Sequence, residues 1–228
     1  MTPLHTDRTY EQQLSQLRTA VLEMGGLVED QIAQAVKALV ERDERLAGAT
    51  IERDHTVNRF DVEIDDLSIK LLALHQPAAR DLRLITTALK ITVDLERIGD
   101  MASHIAERAV ELARELPIKP YIDIPRMAEL ARDMLHRSLD AFVQEDVELA
   151  LGVLASDDAI DHLHEQLFRE LLSFMAEDPT TVSRAMRLLF VSKYLERVGD
   201  HATNIAEMVI FMVQGRSIRH LDKVPREL

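Results

Sequence analysis

The chain has no cysteine and no tryptophan, 4% aromatic residues, and only seven glycines and seven prolines in 228 positions. Without cysteine there can be no disulfide framework, no thiolate metal centre and no cysteine nucleophile, an absence in keeping with a cytoplasmic protein. Few glycines, prolines and aromatics leave little material for turns and strands, while Leu, Ala, Glu, Arg and Ile dominate, as they do in helices. Basic charge is also short. There are 27 Lys and Arg against 40 Asp and Glu, a formal net charge of −13, and both nucleic acid and anionic lipid call for a basic face. The longest apolar run, MVIFMV at 208–213, is far below the roughly 20 residues that span a bilayer, so no membrane insertion is expected. The opening stretch MTPLHTDRTYEQQL has no apolar run and no cleavage pattern, so no secretory leader is expected either. Glycine-rich phosphate loops and hydrolase signatures are missing. Ser and Thr are scattered without a partnering base, and the expectation is a protein that is not an enzyme.

What the chain does have is an internal repeat. LERIGDMASHIAE at 95–107 aligns without gaps with LERVGDHATNIAE at 195–207, identical at nine of thirteen positions. Upstream, RDHTVNRF at 53–60 answers SDDAIDHL at 156–163, and QPAARDLRLI at 76–85 stands where DPTTVSRAMR stands at 178–187. Between the copies lies ELPIKPYIDIP at 115–125, whose prolines cannot continue a helix. Within each copy apolar residues recur with a period near 3.6. One stripe runs from Leu14 through Leu17, Val21, Met24, Val28 and Ile32 to Val36, a second from Val57 to Leu74, and a third from Leu84 to Ala109. The expected fold is all-α: two tandem three-helix bundles, residues 1–117 and 118–228, joined by the proline segment and related by a rough two-fold axis. Helix stops are expected near Arg42–Asp43, Pro77 and Pro117, then near Glu145–Asp146, Pro179 and Gly215. The stripes, with Met24, Met127, Met134 and Met186, are expected in the core.

The repeated phrase keeps two costly features. Gly99 and Gly199 each weaken a helix by about 1 kcal/mol relative to alanine. Glu96 with Asp100, and Glu196 with Asp200, are like charges at i and i+4, which repel. A helical wheel puts Leu95, Ile98, Ala102 and Ile105 towards the core, with the glycine beside them in a strip of small residues. Glu96, Asp100, His104 and Glu107 fall almost opposite the core, as do Glu196, Asp200, Asn204 and Glu207. The glycines are expected to admit a neighbouring backbone, and the carboxylates to face outward. The second helix carries its own stripe, Asp54, Asn58, Asp61 and Asp65, answered by Asp157, Asp161 and His164. An acidic stripe is most often a solvated face, but this phrase is nearly fixed between two copies. If the second and third helices of a bundle are neighbours, their acidic strips converge and a multivalent cation would relieve the repulsion. Oxygen ligands suit Mg, Ca, Mn or Fe, and His104, His164 or His201 would favour Fe, Zn or Ni.

Taken in order along the chain, VN at 57–58, QPAARDLR at 76–83, KITVDLERIGD at 90–100 and YLERVGDHATNIAE at 194–207 resemble PhoU, the bacterial phosphate-uptake regulator family, over essentially the whole length. The resemblance implies a cytoplasmic, non-enzymatic negative regulator of the phosphate-starvation response. It would work with the phosphate-specific ABC transporter ATPase and a sensor histidine kinase, often as a homodimer. It also implies metal binding through repeated E/D-x-x-x-D motifs, whose matches here are Glu96 with Asp100 and Glu196 with Asp200. Asp54 with Asn58 and Asp157 with Asp161 are weaker matches, and His104 or Asn204 one turn on could complete a shell. The metal could be Fe, Zn, Ni, Mn or Mg. The second copy lacks the QPxAxDLR pattern, so the halves need not share a partner. Two rivals stand beside this reading. One is a helical scaffold with no ligand. The other is a di-iron carboxylate oxidase, which needs inward glutamates and Glu-x-x-His on two helices; the chain offers Asp133-x-x-His136 and Asp161-x-x-His164.

Overall fold

The computed structural model describes residues 5–216, with side chains from Arg8 onward; the outermost parts of the two expected repeats lie outside the described residues. Eight α-helices follow one another: α1 (His5–Glu41), α2 (Glu44–Glu52), α3 (Asp54–His75), α4 (Ala79–Ala113), α5 (Asp123–Gln144), α6 (Val147–Leu154), α7 (Asp157–Glu177) and α8 (Val182–Gln214). A single 3-10 turn, Pro179–Thr181, precedes α8. No strand occurs among the described residues. Each repeat is a bundle of three long helices, as expected, with one addition. A short helix, α2 or α6, stands where the start of the second helix was expected.

The corners explain the additional helices. Both α1 and α5 end in a left-handed residue, Arg42 (φ 58) and Glu145 (φ 54). The next amide reaches back to close the helix end, Asp43 N–H to Ala38 O and Asp146 N–H to Ala141 O, both 3.0 Å. The same two aspartates then cap the short helices. Asp43 Oδ1 accepts from the Arg45 and Leu46 amides, and Asp146 Oδ1 from the Leu149 amide. One aspartate thus ends one helix and begins the next. The tail of the second apolar stripe is less buried than its period suggests: Leu74 is 71% exposed, near the end of α3. Met186 is 41% exposed on α8 rather than in the core, whereas Met24, Met127 and Met134 are fully buried. Pro125 falls in the first turn of α5, where its missing N–H costs nothing. The segment before α5 is tied down. Arg42 Nη2 donates to Ala113 O and Glu115 O at 2.7 Å, and Lys119 pairs with Asp123 and Glu170.

The longest described contact between the repeats is the antiparallel pairing of α4 with α8. Arg83 Nε donates to Met212 O (2.8 Å) at one end, and Arg187 pairs with Glu111 (2.6 Å) and Glu115 (2.9 Å) at the other. Between them the His201 ring meets Asp94 (2.6 Å) and the His104 ring stacks on Tyr194 (5.2 Å between centroids). Glu145 adds a clasp from the second repeat onto Arg18 and Arg80 of the first, at 2.7 and 2.6 Å. Buried apolar side chains of both repeats join in one continuous cluster.

Gly99 and Gly199 mark where the second long helix crosses the third. A Cβ on Gly99 would lie 3.2 Å from Val57 Cγ1, and one on Gly199 would lie 3.1 Å from Ile160 Cγ2. The glycines therefore do admit a close neighbour, but what they meet is side chains of the crossing helices, not the backbone that was expected. We expect Gly99→Leu or Gly199→Leu to destabilise by about 2 kcal/mol or more through overpacking, outweighing the roughly 1 kcal/mol of helix propensity gained on leaving glycine. Gly26, with nothing within 4 Å of its would-be Cβ, is the control, and Gly26→Ala should raise the melting temperature. Unchanged melting of the two leucine variants would refute this packing account.

Candidate metal site in two acidic clefts

Residue 54 opens α3 and residue 157 opens α7, so each aspartate sits at the N-terminal edge of its helix, next to the glycine of the crossing helix. One turn on are Asn58 and Asp161. On the facing helix, Glu96 and Asp100 flank Gly99, and Glu196 and Asp200 flank Gly199. The expected convergence therefore occurs twice. The first cleft gathers Asp54, Asn58, Glu96 and Asp100 between α3 and α4. The second gathers Asp157, Asp161, Glu196 and Asp200 between α7 and α8. Asp200 is exposed and Asp100 partly so, as the wheel places them, but the two glutamates are not opposite the core. The side chains of Glu96 and Glu196 are only 26% and 13% exposed. The reason is that α4 and α8 are wrapped by neighbours on several sides, which leaves a groove rather than an open face.

Burial and mutual repulsion show in the proton affinities. Burial, then the charge of Asp100, raises the pKa of Asp54. Burial, then Asp100, Asp61 and Asp54, raises that of Glu96 against some relief from Arg97. The second cleft is the more strained. Burial, then Asp161 and Asp200, pushes Asp157 up to about 6, although the start of a helix ordinarily favours a negative charge. Asp161 and Asp200 are raised as well, by burial and then by Glu196. Counter-charges are modest. Arg97 lies 3.5 Å from both Glu96 and Asp100. In the second copy it is Lys193, not Arg197, that is seen paired, with Glu196 at 2.5 Å. Asn58 Nδ2 donates to Asp54 Oδ2 at 3.0 Å. Asp54 Oδ1, Asp157 Oδ1 and Glu196 Oε2 are buried with no hydrogen-bond partner.

Among the described residues, no group of three or more His, Asp or Glu side chains is placed to hold a metal ion; the clefts are neighbourhoods of carboxylate oxygens, not an assembled site. By residue type the donors are those of a hard cation, all oxygen. The histidines weighed for softer metals are otherwise engaged. His104 is exposed and stacks on Tyr194, His164 meets Ser192 Oγ at 3.0 Å, and His201 meets Asp94. Asn204 is half-buried on α8 beyond Asp200. One Glu-x-x-His spacing does exist, Glu52 to His55, but it straddles the break between α2 and α3 and both residues are exposed; it offers no inward pair for a di-iron centre.

Sequence reasoning missed the floor of each cleft. Gln31 on α1 is fully buried, and neither its amide nitrogen nor its amide oxygen has a partner. Its Oε1 and Asp54 Oδ1 each lie 3.5 Å from where a Cβ on Gly99 would be. Beneath Gly199 the equivalent place holds Met134, with Cε at 3.6 Å. The signal was present: Gln31 interrupts the apolar face of α1 between Val28 and Ile32. An orphaned buried amide costs about 1–3 kcal/mol.

A pH prediction follows for the metal-free protein. Because the folded pKa of Asp157, about 6, lies above its unfolded value of 3.8, its ionised form destabilises the fold above about pH 6, and that penalty is relieved as pH falls towards 4. Asp157→Asn should therefore raise the melting temperature in chelator at pH 7.5 and have little effect at pH 4.5. An equal effect at both pH values would contradict the placement of this charge.

The PhoU domain model matches the chain twice, at residues 21–109 and 124–209. A Pseudomonas putida protein described as "phosphate-specific transport system accessory protein PhoU homolog" is 41% identical over 218 residues, covering 95% of this chain and 85% of that one. An Aquifex aeolicus protein of the same description is 42% identical over 208 residues, covering 91% and 94%. The crystal structure of PhoU from Pseudomonas aeruginosa superposes with a TM-score of 0.87 at 41% identity, covering 91% of this chain and all of that one. That of the phosphate transport system regulatory protein PhoU from Streptococcus pneumoniae gives 0.85 at 27% identity, covering 92% and 99%. The match on both halves, together with identity near 40% along almost the whole length, establishes that this chain belongs to the PhoU domain family.

Proposed function

We propose that the chain is a cytoplasmic negative regulator of the phosphate-starvation response. It would act by docking on the phosphate-specific ABC transporter ATPase and on a sensor histidine kinase, as a homodimer, without catalytic chemistry of its own. The observation that carries this reading is identity near 40% over almost the full chain with proteins named as accessory to the phosphate-specific transport system. Two features are in keeping with it. No described helix is long and apolar enough to cross a membrane, which suits a protein that reaches a transporter from the aqueous side. The charge of −13 favours basic protein surfaces over nucleic acid as partners.

The two acidic clefts supply the second half of the reading: cations held between α3 and α4, and between α7 and α8. Asp54, Glu96 and Asp100 would be the oxygen ligands of one cleft, with Asn58 as a weaker donor. Asp157, Asp161, Glu196 and Asp200 would serve the other. A bound cation would neutralise the charge that now raises these pKa values and would give the unpaired buried oxygens a partner. It would also pin α3 to α4 and α7 to α8, so that metal occupancy sets the rigidity of the surface a partner meets.

Two experiments test these statements. Metal content of protein purified without chelator should fall by one repeat's share in Glu96→Gln/Asp100→Asn and by the other's in Glu196→Gln/Asp200→Asn, with helicity unchanged. Stoichiometry equal to wild type in both variants would make the clefts simple solvated grooves. Deleting the gene should leave the organism's phosphate-starvation genes switched on in high phosphate, and the purified protein should capture the sensor kinase or the transporter ATPase. Normal repression in the deletion strain would remove the regulatory reading.

A further inference from the structure

Resting on the metal-binding reading above, we infer that Gln31 is the inner polar partner of a cation in the first cleft, and that Met134 in the equivalent place leaves the second cleft without one, so that the two clefts bind cations unequally. The inference starts from a fully buried carboxamide whose two polar atoms meet nothing. Its neighbours on the buried face of α1, Val28, Ile32 and Ala35, are fully buried apolar residues. A glutamine placed among them and left unpaired on that helix has its polar end free for a partner at the cleft. The space it faces is defined by what Gly99 lacks. Gln31 Oε1 and the equally unpaired Asp54 Oδ1 both lie 3.5 Å from that absent Cβ. A cation on the inner side of Asp54, or a water in its shell, would satisfy the carboxylate and the amide together. A carboxamide oxygen is a competent hard ligand, and its NH2 can instead donate to a metal-bound water.

The second cleft lacks this device. Gly199 is backed by Ile160 Cγ2 and Cδ1 at 3.1 and 3.5 Å and by Met134 Cε at 3.6 Å, so its floor is hydrocarbon and thioether. Its rim is richer instead, because Asp161 stands where the first repeat has Asn58. The duplicated phrase on α4 and α8 thus conceals two different sites. One has an amide floor and a poorer rim; the other has an apolar floor and a richer rim.

The experiment is a titration with Mn2+, read by the electron paramagnetic resonance of the free ion, on the full chain with the second cleft removed by Glu196→Gln/Asp200→Asn. Adding Gln31→Met gives the first cleft the floor of the second at nearly constant side-chain volume. The Mn2+ dissociation constant should rise about tenfold, as for other residues that support a ligand without being its main one, and the melting temperature in chelator should rise because a buried orphan is gone. A glutamine with a purely structural role would give the opposite melting shift and leave Mn2+ affinity alone. The reciprocal variant, Met134→Gln in the Glu96→Gln/Asp100→Asn background, should lower the melting temperature in chelator and tighten Mn2+ at the second cleft. If Gln31→Met leaves Mn2+ affinity within twofold, or lowers melting in chelator, the inference is overturned while metal binding stands. If the unmutated protein binds no Mn2+, the metal reading and this inference fall together.

Discussion

Everything in this molecule is arranged around the circumference of α4 and its counterpart α8. Each must pack against helices of its own repeat and also against the other member of the pair. A helix so surrounded buries residues on more than one face, and α4 accordingly buries fifteen of its 35 residues. Apart from the polar residues that face α8, an arc beside the crossing helix remains for polar side chains. Glu96 and Asp100 occupy that arc, as do Glu196 and Asp200, and this is why Glu96, Asp100 and Glu196 are half-buried while Asp200 remains exposed at the rim. The repulsion they suffer is a direct result of how little surface the packing leaves them.

The glycine at the crossing controls how deep that arc runs. With a side chain at 99 or 199 the helices would stand apart, and the carboxylates of α3 and α7 would be further from those of α4 and α8. Close approach desolvates the acids as well as gathering them, and burial is the first cause of the raised pKa of Asp54, Glu96, Asp157, Asp161 and Asp200. The arrangement lowers the stability of the bare protein at neutral pH, a cost of the kind functional sites often carry.

Much of this was legible in the sequence, for identifiable reasons. Apolar period, proline punctuation and the repeat specify three long helices per copy, because each signal is local and doubled. The small-residue strip at Gly99 and Gly199 was legible because the cost of glycine in a helix demands a reason. The short helices α2 and α6 were not. They depend on Asp43 and Asp146 each serving two helices at once, a cap geometry that one aspartate in a polar stretch does not announce. The burial of Glu96 and Glu196 departs from the wheel for a different reason. A wheel assumes one buried face, and α4 has several. Gln31 was passed over because its role depends on contact with residues 54 and 99, which no local pattern reveals. Met186 was assigned to the core by type, although its helix turns it outward.

The pairing of α4 with α8 also bears on how a duplicated chain finds the correct partner during folding. Two copies of one bundle invite each half to associate with its own likeness in a neighbouring molecule, the hazard behind domain swapping. The contact at one end of the pair discourages it. Arg187 meets Glu111, but the position matching Arg187 in the first repeat is Thr87 and the position matching Glu111 in the second is Phe211. An α4–α4 pairing would set Glu111 against threonine, and an α8–α8 pairing would set Arg187 against phenylalanine; either would leave a half-buried charge without its partner. At this contact the two halves thus carry complementary, not self-complementary, edges, which favours pairing of unlike halves.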